Sequence, residues 1–283
     1  MSRDDQADQN EDRGAAYYVR RFLFVGSGAY VGIAALLYVF QRFLIFPGGG
    51  PLIGEPPWPY EDVLLDVGGE TTHAWYCPVD DAPGVVLMSH GNGENVSTFV
   101  DTIGLYRGLG FSTLAYDYGG YGKSTGKATE QRVYKDIRAA WDWLVEKKGY
   151  DPGQIVIYGR SIGGGPSVDL AQDVQPAALI LESTFTSTVD VGKQHYPWLP
   201  IATLLRHRFD NLSKIGRVEA PVLIIHSPDD TIIPVNHGRA LFDAANEPKK
   251  FLEIHGDHNE GFFLSQDLYR KEAGAFLDRV LSE

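Results

Sequence analysis

The sequence predicts an α/β protein on a mostly parallel sheet, preceded by one helix able to cross a membrane. Three observations carry this reading. Six short runs rich in Val, Ile and Leu begin at Val85, Ser112, Gln154, Ala177, Val222 and Lys250 and read as buried strands. Segments with helical spacing lie between them, the alternation that puts helices on both faces of a parallel sheet. Finally, the nineteen residues from Phe22 to Phe40 carry no charge, and as a helix they would be roughly 28 Å long, close to the thickness of a bilayer's hydrocarbon core.

The chain starts with a polar, acidic stretch, residues 1–21, read as a cytoplasmic tail, and 22–40 follows as a transmembrane anchor. A cleaved signal peptide would have a shorter apolar core and a small-residue cleavage site, whereas this segment runs on into Gln-Arg-Phe-Leu-Ile-Phe. A buried core helix would show an amphipathic pattern, which is absent. Arg3, Arg13, Arg20 and Arg21 precede the segment, and no Lys or Arg appears between Arg42 and Arg107. The positive-inside bias therefore puts the bulk of the chain on the extracytoplasmic side, periplasmic or lumenal, of a single-pass membrane protein. Gly28 and Gly32 make a GxxxG spacing that can pair such helices into a homodimer.

Residues 41–61, rich in Pro and Gly from Pro47 onward, read as a semi-rigid linker onto one domain spanning 62–283. That domain opens with DVLLDV and THAWYCPV, which look like an antiparallel hairpin. Further on, Val133, Ile137, Trp141 and Leu144 fall on one face of a helix between Thr129 and Gly149. With 43% hydrophobic residues the chain can fill a large core, and a net charge of −12 without a basic stripe argues against a nucleic-acid partner. The single cysteine, Cys77, excludes an intrachain disulfide and cysteine-rich zinc sites.

The motif with the most specific chemistry is Gly159-Arg160-Ser161-Ile162-Gly163, a GxSxG between a predicted strand and a predicted helix. A nucleophile there projects from a sharp, strained turn, and glycines flank it because strand and helix approach closely. A serine needs a base, and the base a carboxylate. Asp229 and Asp230 follow the strand VLIIHS, and His258 follows FLEIHG, so all would lie at strand carboxyl ends on one sheet edge. Backbone N–H groups of Asn92, in the turn HGNGEN, and of Ile162 are the candidates for holding an oxyanion. Two decoys fall away. DYGGYGKS has Asp117 where a P-loop needs Gly, so Asp117 reads as holding a structural turn. His255 and His258 form an HxxH without HExxH or a third ligand, so no metal is expected.

HGNGEN, DYGGYGKSTG, GRSIGGGPS, SPDDTIIP and HGDHNE together resemble, in order, the motif series of the alpha/beta-hydrolase superfamily. Within it the chain is similar to compact membrane-anchored serine hydrolases related to the serine aminopeptidase-like and protein-depalmitoylase branches. The resemblance implies the alpha/beta-hydrolase fold, an eight-stranded, mostly parallel sheet with a small cap. It implies a triad of Ser161, Asp230 and His258 with Asn92 and Ile162 as oxyanion hole. Asp230 is preferred to Asp229 because the family's acid stands four residues before the Pro, here Pro234; Glu182 is the fallback acid, with a structural role as its other reading. Arg160 is expected to tie down the elbow by an ion pair.

Two departures limit the resemblance. The cysteine cluster that such depalmitoylases carry near the N-terminus is missing, and 183–220 is too short for more than a small cap. Within the cap, Tyr196, Trp198 and Leu199 could line an acyl pocket or simply pack a cap helix. The implied reaction is hydrolysis of small-molecule or lipid acyl esters or thioesters, without a cofactor. A peptidase or amidase is the alternative within this chemistry, and a non-catalytic binding module on the same fold is the alternative outside it.

Overall fold

The computed structural model describes residues 3–282; Met1, Ser2 and Glu283, the first two of which belong to the expected tail, lie outside it. Helix α1 runs unbroken over Arg3–Ile45, so it extends beyond the apolar stretch at both ends. The physical reason is local: no proline occurs before Pro47, and the residue preceding a proline is pushed out of the helical region. The Pro- and Gly-rich segment that follows is tied to the domain. Asn95 donates its side-chain N–H to the carbonyls of Gly49 (2.6 Å) and Pro51 (3.2 Å), and Ile53 N–H donates to Ser97 Oγ at 2.9 Å.

Eight strands make one sheet: β1 Glu61–Val67, β2 Glu70–Cys77, β3 Val85–Ser89, β4 Ser112–Tyr116, β5 Ile155–Arg160, β6 Ala178–Glu182, β7 Val222–His226 and β8 Lys249–Glu253. Their order is β1-β2-β4-β3-β5-β6-β7-β8. Pairing is antiparallel at β1/β2, which a two-residue turn joins, and at β2/β4, and parallel from β4 to β8.

The parallel strands read as continuous apolar runs because both faces are buried. Alternate residues feed two cores. Val85, Leu87, Ile155, Ile157, Leu179 and Leu181 face one, covered by α3 (Glu130–Glu146), α4 (Gly164–Ala171) and α8 (Asn236–Ala244). Val86, Met88, Val156, Tyr158, Ala178 and Ile180 face the other, covered by α2 (Val100–Gly108) and α10 (Gln266–Ser282). In α3 the predicted stripe Val133, Ile137, Trp141 and Leu144 is buried, and Thr129 caps the helix by accepting from Arg132 N–H at 3.1 Å. The remaining helices are short: α5 (Thr188–His195), α6 (Ile201–Leu204) and α7 (Leu212–Ile215) between β6 and β7, and α9 (Gly261–Leu264) after β8.

Candidate active site

The strand β5 ends at Arg160, and the next residue, Ser161, has φ +53°, a left-handed conformation that a non-glycine residue adopts at a cost of about 1–3 kcal/mol. Glycine on either side makes the turn feasible. A Cβ on Gly159 would run into Gly163 O and Ser167 Oγ, and one on Gly163 into the carbonyl oxygens of Ser89 and His90. The chain therefore reverses from strand to helix against the end of β3, whose Ser89 is in register with Gly159. Thr184 holds the turn by donating to Ser161 O at 2.7 Å.

Asp230 and His258 meet this serine from the ends of β7 and β8. His258 Nδ1 lies 2.7 Å from Asp230 Oδ2 and Nε2 lies 3.1 Å from Ser161 Oγ; an imidazole that donates Nδ1–H to the carboxylate offers Nε2 as an acceptor to the hydroxyl. The three residues are between 4% and 8% exposed, so the hydrogen bonds are shielded from water yet the serine is not sealed. Asp230 Oδ1 accepts from the N–H groups of Ile232 (3.0 Å) and Ile233 (2.7 Å). Burial alone would raise the Asp230 carboxyl, but hydrogen bonds from His226 and His258 and the His258 charge override it and hold it well below the usual carboxylate range. A carboxylate in that state orients the imidazole and stabilises its protonated form.

The other candidate acids sit elsewhere. Asp229 is exposed, and its backbone N–H donates to Ser227 Oγ at 3.1 Å. Glu182 is buried and committed: Tyr158 OH donates to it at 2.7 Å and Arg160 Nε lies 3.5 Å away. Arg160 also pairs with Glu94 and donates to His258 O at 3.0 Å. It thus ties the elbow to the loop after β3 and to the loop that carries the histidine.

Asn92 is exposed in the loop after β3, while Ile162 is buried directly behind the serine. What supports the Asn92 loop escaped the sequence reading. Asp117 Oδ1 accepts from Val96 N–H at 2.9 Å, Tyr118 OH donates to His90 O at 2.5 Å, and Tyr121 OH donates to Asn92 Oδ1 at 3.3 Å. The segment DYGGYG therefore braces HGNGEN as well as its own turn. Two further supports were missed: His226, 3.5 Å from Asp230 Oδ2, and Asp257, which accepts from Thr231 N–H (2.9 Å) and His258 N–H (2.7 Å). Aspartates with hydroxyl or amide neighbours are common loop chemistry, so no local signal distinguishes these.

In the cap, Leu199 is buried with Val189 and Ile201, while Tyr196 and Trp198 are more than half exposed. Trp198 packs its ring 6.2 Å from that of Tyr30 in α1. An open depression of about 1300 Å³ lies between β1 and α3, and none of Ser161, Asp230 or His258 lines it.

Residues 80–214 match the family described as Hydrolase_4, serine aminopeptidase S33. An uncharacterized protein of Mycobacterium tuberculosis is 36% identical over 236 residues, covering 81% of this chain and 84% of its own length. The chain belongs to the alpha/beta-hydrolase superfamily. Human alpha/beta hydrolase domain-containing protein 17B is 40% identical over 194 residues, 67% of this chain and 65% of that protein. Among solved structures, an esterase from Pyrococcus furiosus overlays with a TM-score of 0.69 at 18% identity, covering 83% of this chain and 99% of the esterase. The alpha/beta hydrolase GrgF of a Penicillium species overlays with a TM-score of 0.65 at 17% identity, over 80% of this chain and all of the other. The activity that accompanies this membership is hydrolysis. Residues 20–45 form a stretch long and apolar enough to cross a membrane, a property of length and composition that a signal sequence shares.

Proposed function

We propose that this hydrolase is a membrane-anchored serine enzyme that cleaves carboxylic ester or thioester bonds through an acyl-enzyme. The observation that carries the proposal is the chain of contacts Ser161–His258–Asp230, with the serine in a left-handed turn and His258 Nε2 within hydrogen-bond reach of its hydroxyl. Ser161 Oγ attacks the acyl carbon as its proton passes to His258 Nε2. The N–H groups of Asn92 and Ile162 receive the oxyanion. Collapse breaks the bond to the alcohol or thiol, which leaves with the proton from His258. Water then attacks the acyl group, with His258 as base, and frees the acid and Ser161. Asp230 stays ionised throughout and holds the imidazole.

Residues 22–40 are the proposed anchor and 62–283 the catalytic domain. The arginines at 3, 13, 20 and 21 favour an extracytoplasmic catalytic domain. Ser161→Ala is expected to abolish hydrolysis of short p-nitrophenyl esters and labelling by a fluorophosphonate; a mutant that still labels sinks the assignment. The family description as a serine aminopeptidase favours a second reading, amide cleavage. Matched ester and amide substrates decide between them, because a faster amide reaction would transfer the assignment to a peptidase.

A further inference from the structure

The cap and the anchor helix share a seam that the catalytic chemistry does not need. Gln41 is 3% exposed, and both ends of its amide are used: it donates to Tyr38 O (2.8 Å) and Leu204 O (3.1 Å) and accepts from Arg206 N–H at 2.7 Å. Phe46, one residue past the helix, is buried with its ring against those of His207 (5.4 Å) and Phe209 (6.0 Å). Leu37 packs on the cluster of Val189, Leu199 and Ile201. Higher up the helix, Tyr30 OH donates to Trp198 O at 3.0 Å. Tyr30 lies eleven residues before Gln41, about 16 Å along the axis, which is half the thickness of a hydrocarbon core.

That geometry sets the depth of the cap. If 22–40 occupies the bilayer, Trp198 runs beside its middle, and the cap stretch from Trp198 to Arg206 rises along the helix toward the headgroups. Side chains agree with such a gradient. Tyr196 and Trp198 are 53% and 56% exposed, and on the helix Leu36, Val39 and Phe40 are 50–60% exposed. Large apolar side chains exposed to this degree are costly in water and at ease in lipid. At the other end, where phosphate groups would be, Arg206 stacks on Tyr38, one helical turn before Arg42, with its guanidinium 4.7 Å from the ring centre. The same cap reaches the site: His195, adjacent to Tyr196, donates Nε2–H to Ile232 O at 2.9 Å, and Ile232 N–H bonds Asp230.

We propose that the cap segment 196–206 is immersed in the leaflet beside the anchor helix and passes acyl chains from the lipid phase to Ser161. The substrate class is then long-chain acyl esters or thioesters resident in the membrane, not water-borne ones. This rests on the membrane-anchored serine-hydrolase reading. The full-length protein in phosphatidylcholine vesicles provides the test. Lipid brominated at mid-chain should quench the tryptophan emission of the wild type, and Trp198→Phe should remove most of that quenching. Unquenched wild type, or equal quenching in both proteins, overturns the proposal; a dimer cross-linked through position 198 without quenching assigns the surface to a second copy instead and overturns it too.

A kinetic split provides the second readout. Gln41→Ala, which releases the cap from the helix, should slow hydrolysis of a long-chain ester held in vesicles roughly tenfold and leave a short soluble ester within about twofold. Equal effects on the two substrates overturn the proposal. The underlying reading fails separately, if Ser161→Ala still hydrolyses the soluble ester or if alkaline carbonate strips the wild type from membranes.

Discussion

Two histidine–aspartate couples in this molecule share one geometry and differ in what lies beyond it. His258 Nδ1 meets Asp230 at 2.7 Å, and His73 Nδ1 meets Asp117 at 2.7 Å. His258 keeps its second nitrogen for Ser161, whereas His73 spends its own on Asp62 at 2.6 Å and is fully buried. The comparison teaches that a carboxylate behind an imidazole does not make a base. What matters is whether the far nitrogen faces a group whose proton it can take. The His73 couple is built for rigidity: Asp117 also anchors Val96 N–H, and with it the loop that carries Asn92.

Breaking each couple at its carboxylate should separate these roles. Asp230→Asn is expected to lower kcat by about four orders of magnitude, because the amide favours the wrong tautomer of His258, with little change in the unfolding temperature. Steady-state ester hydrolysis alongside calorimetry checks both halves, and a large loss of stability would show that Asp230 is structural. Asp117→Asn should do the reverse. Leaving His73 and the Val96 N–H badly paired in the core costs about 3 kcal/mol, roughly 10 °C in midpoint for a domain of this size. Serine labelling by a fluorophosphonate at low temperature should survive in it.

A pH titration of stability sharpens the contrast further. Burial alone would raise the Asp117 carboxyl, but the hydrogen bond from His73 and the nearness of His90 hold it below its ordinary value, as the histidines hold Asp230. Folded values below unfolded ones mean that the unfolded chain binds more protons. Their stabilisation is therefore complete above the ordinary carboxylate range, about pH 4, and is lost as pH falls through the folded values. Burial likewise depresses His207 and His237, so an earlier, shallower decline should begin as pH drops below about 6.5. Chemical denaturation from pH 8 to pH 3 should show both phases, and Asp117→Asn should flatten the steeper one. The smallest effect belongs to Lys123→Ala. Lys123 pairs with Asp62 at 2.5 Å, but both are about half exposed, so its removal should cost less than about 1 kcal/mol in the same denaturation experiment.

Much of the site was legible because its chemistry is written in short spacings. GxSxG between a strand and a helix points to an elbow, because that backbone needs glycine on both sides of one serine, and Asp230, His258 and HGNG supply the partners that a chance match would lack. Asp230 and His258 each follow an apolar run by a few residues, and parallel strands bring such positions to a common edge. The choice of Asp230 over Asp229 needed family resemblance, because neighbouring residues in a loop have no periodicity to separate them. The cap was less legible. Tyr196, Trp198 and Leu199 read alike as an apolar stretch, yet Leu199 is buried in the cap and Trp198 lies against α1.

The sequence by itself determined the strand and helix alternation, the apolar N-terminal stretch and the candidates for nucleophile and base, while the superfamily and the choice of acid came from resemblance to known motifs. The former follow from local patterns, where burial on two faces demands continuous apolar runs and a strained turn demands glycine. The tertiary structure alone decided which histidine turns a nitrogen to Ser161, what braces the Asn92 loop, and that Gln41 joins α1 to the cap. Those contacts link residues 28, 97 and 163 positions apart. A hydrogen bond between groups so distant leaves no trace in local composition, because it exists only once the packed core has fixed where both groups point.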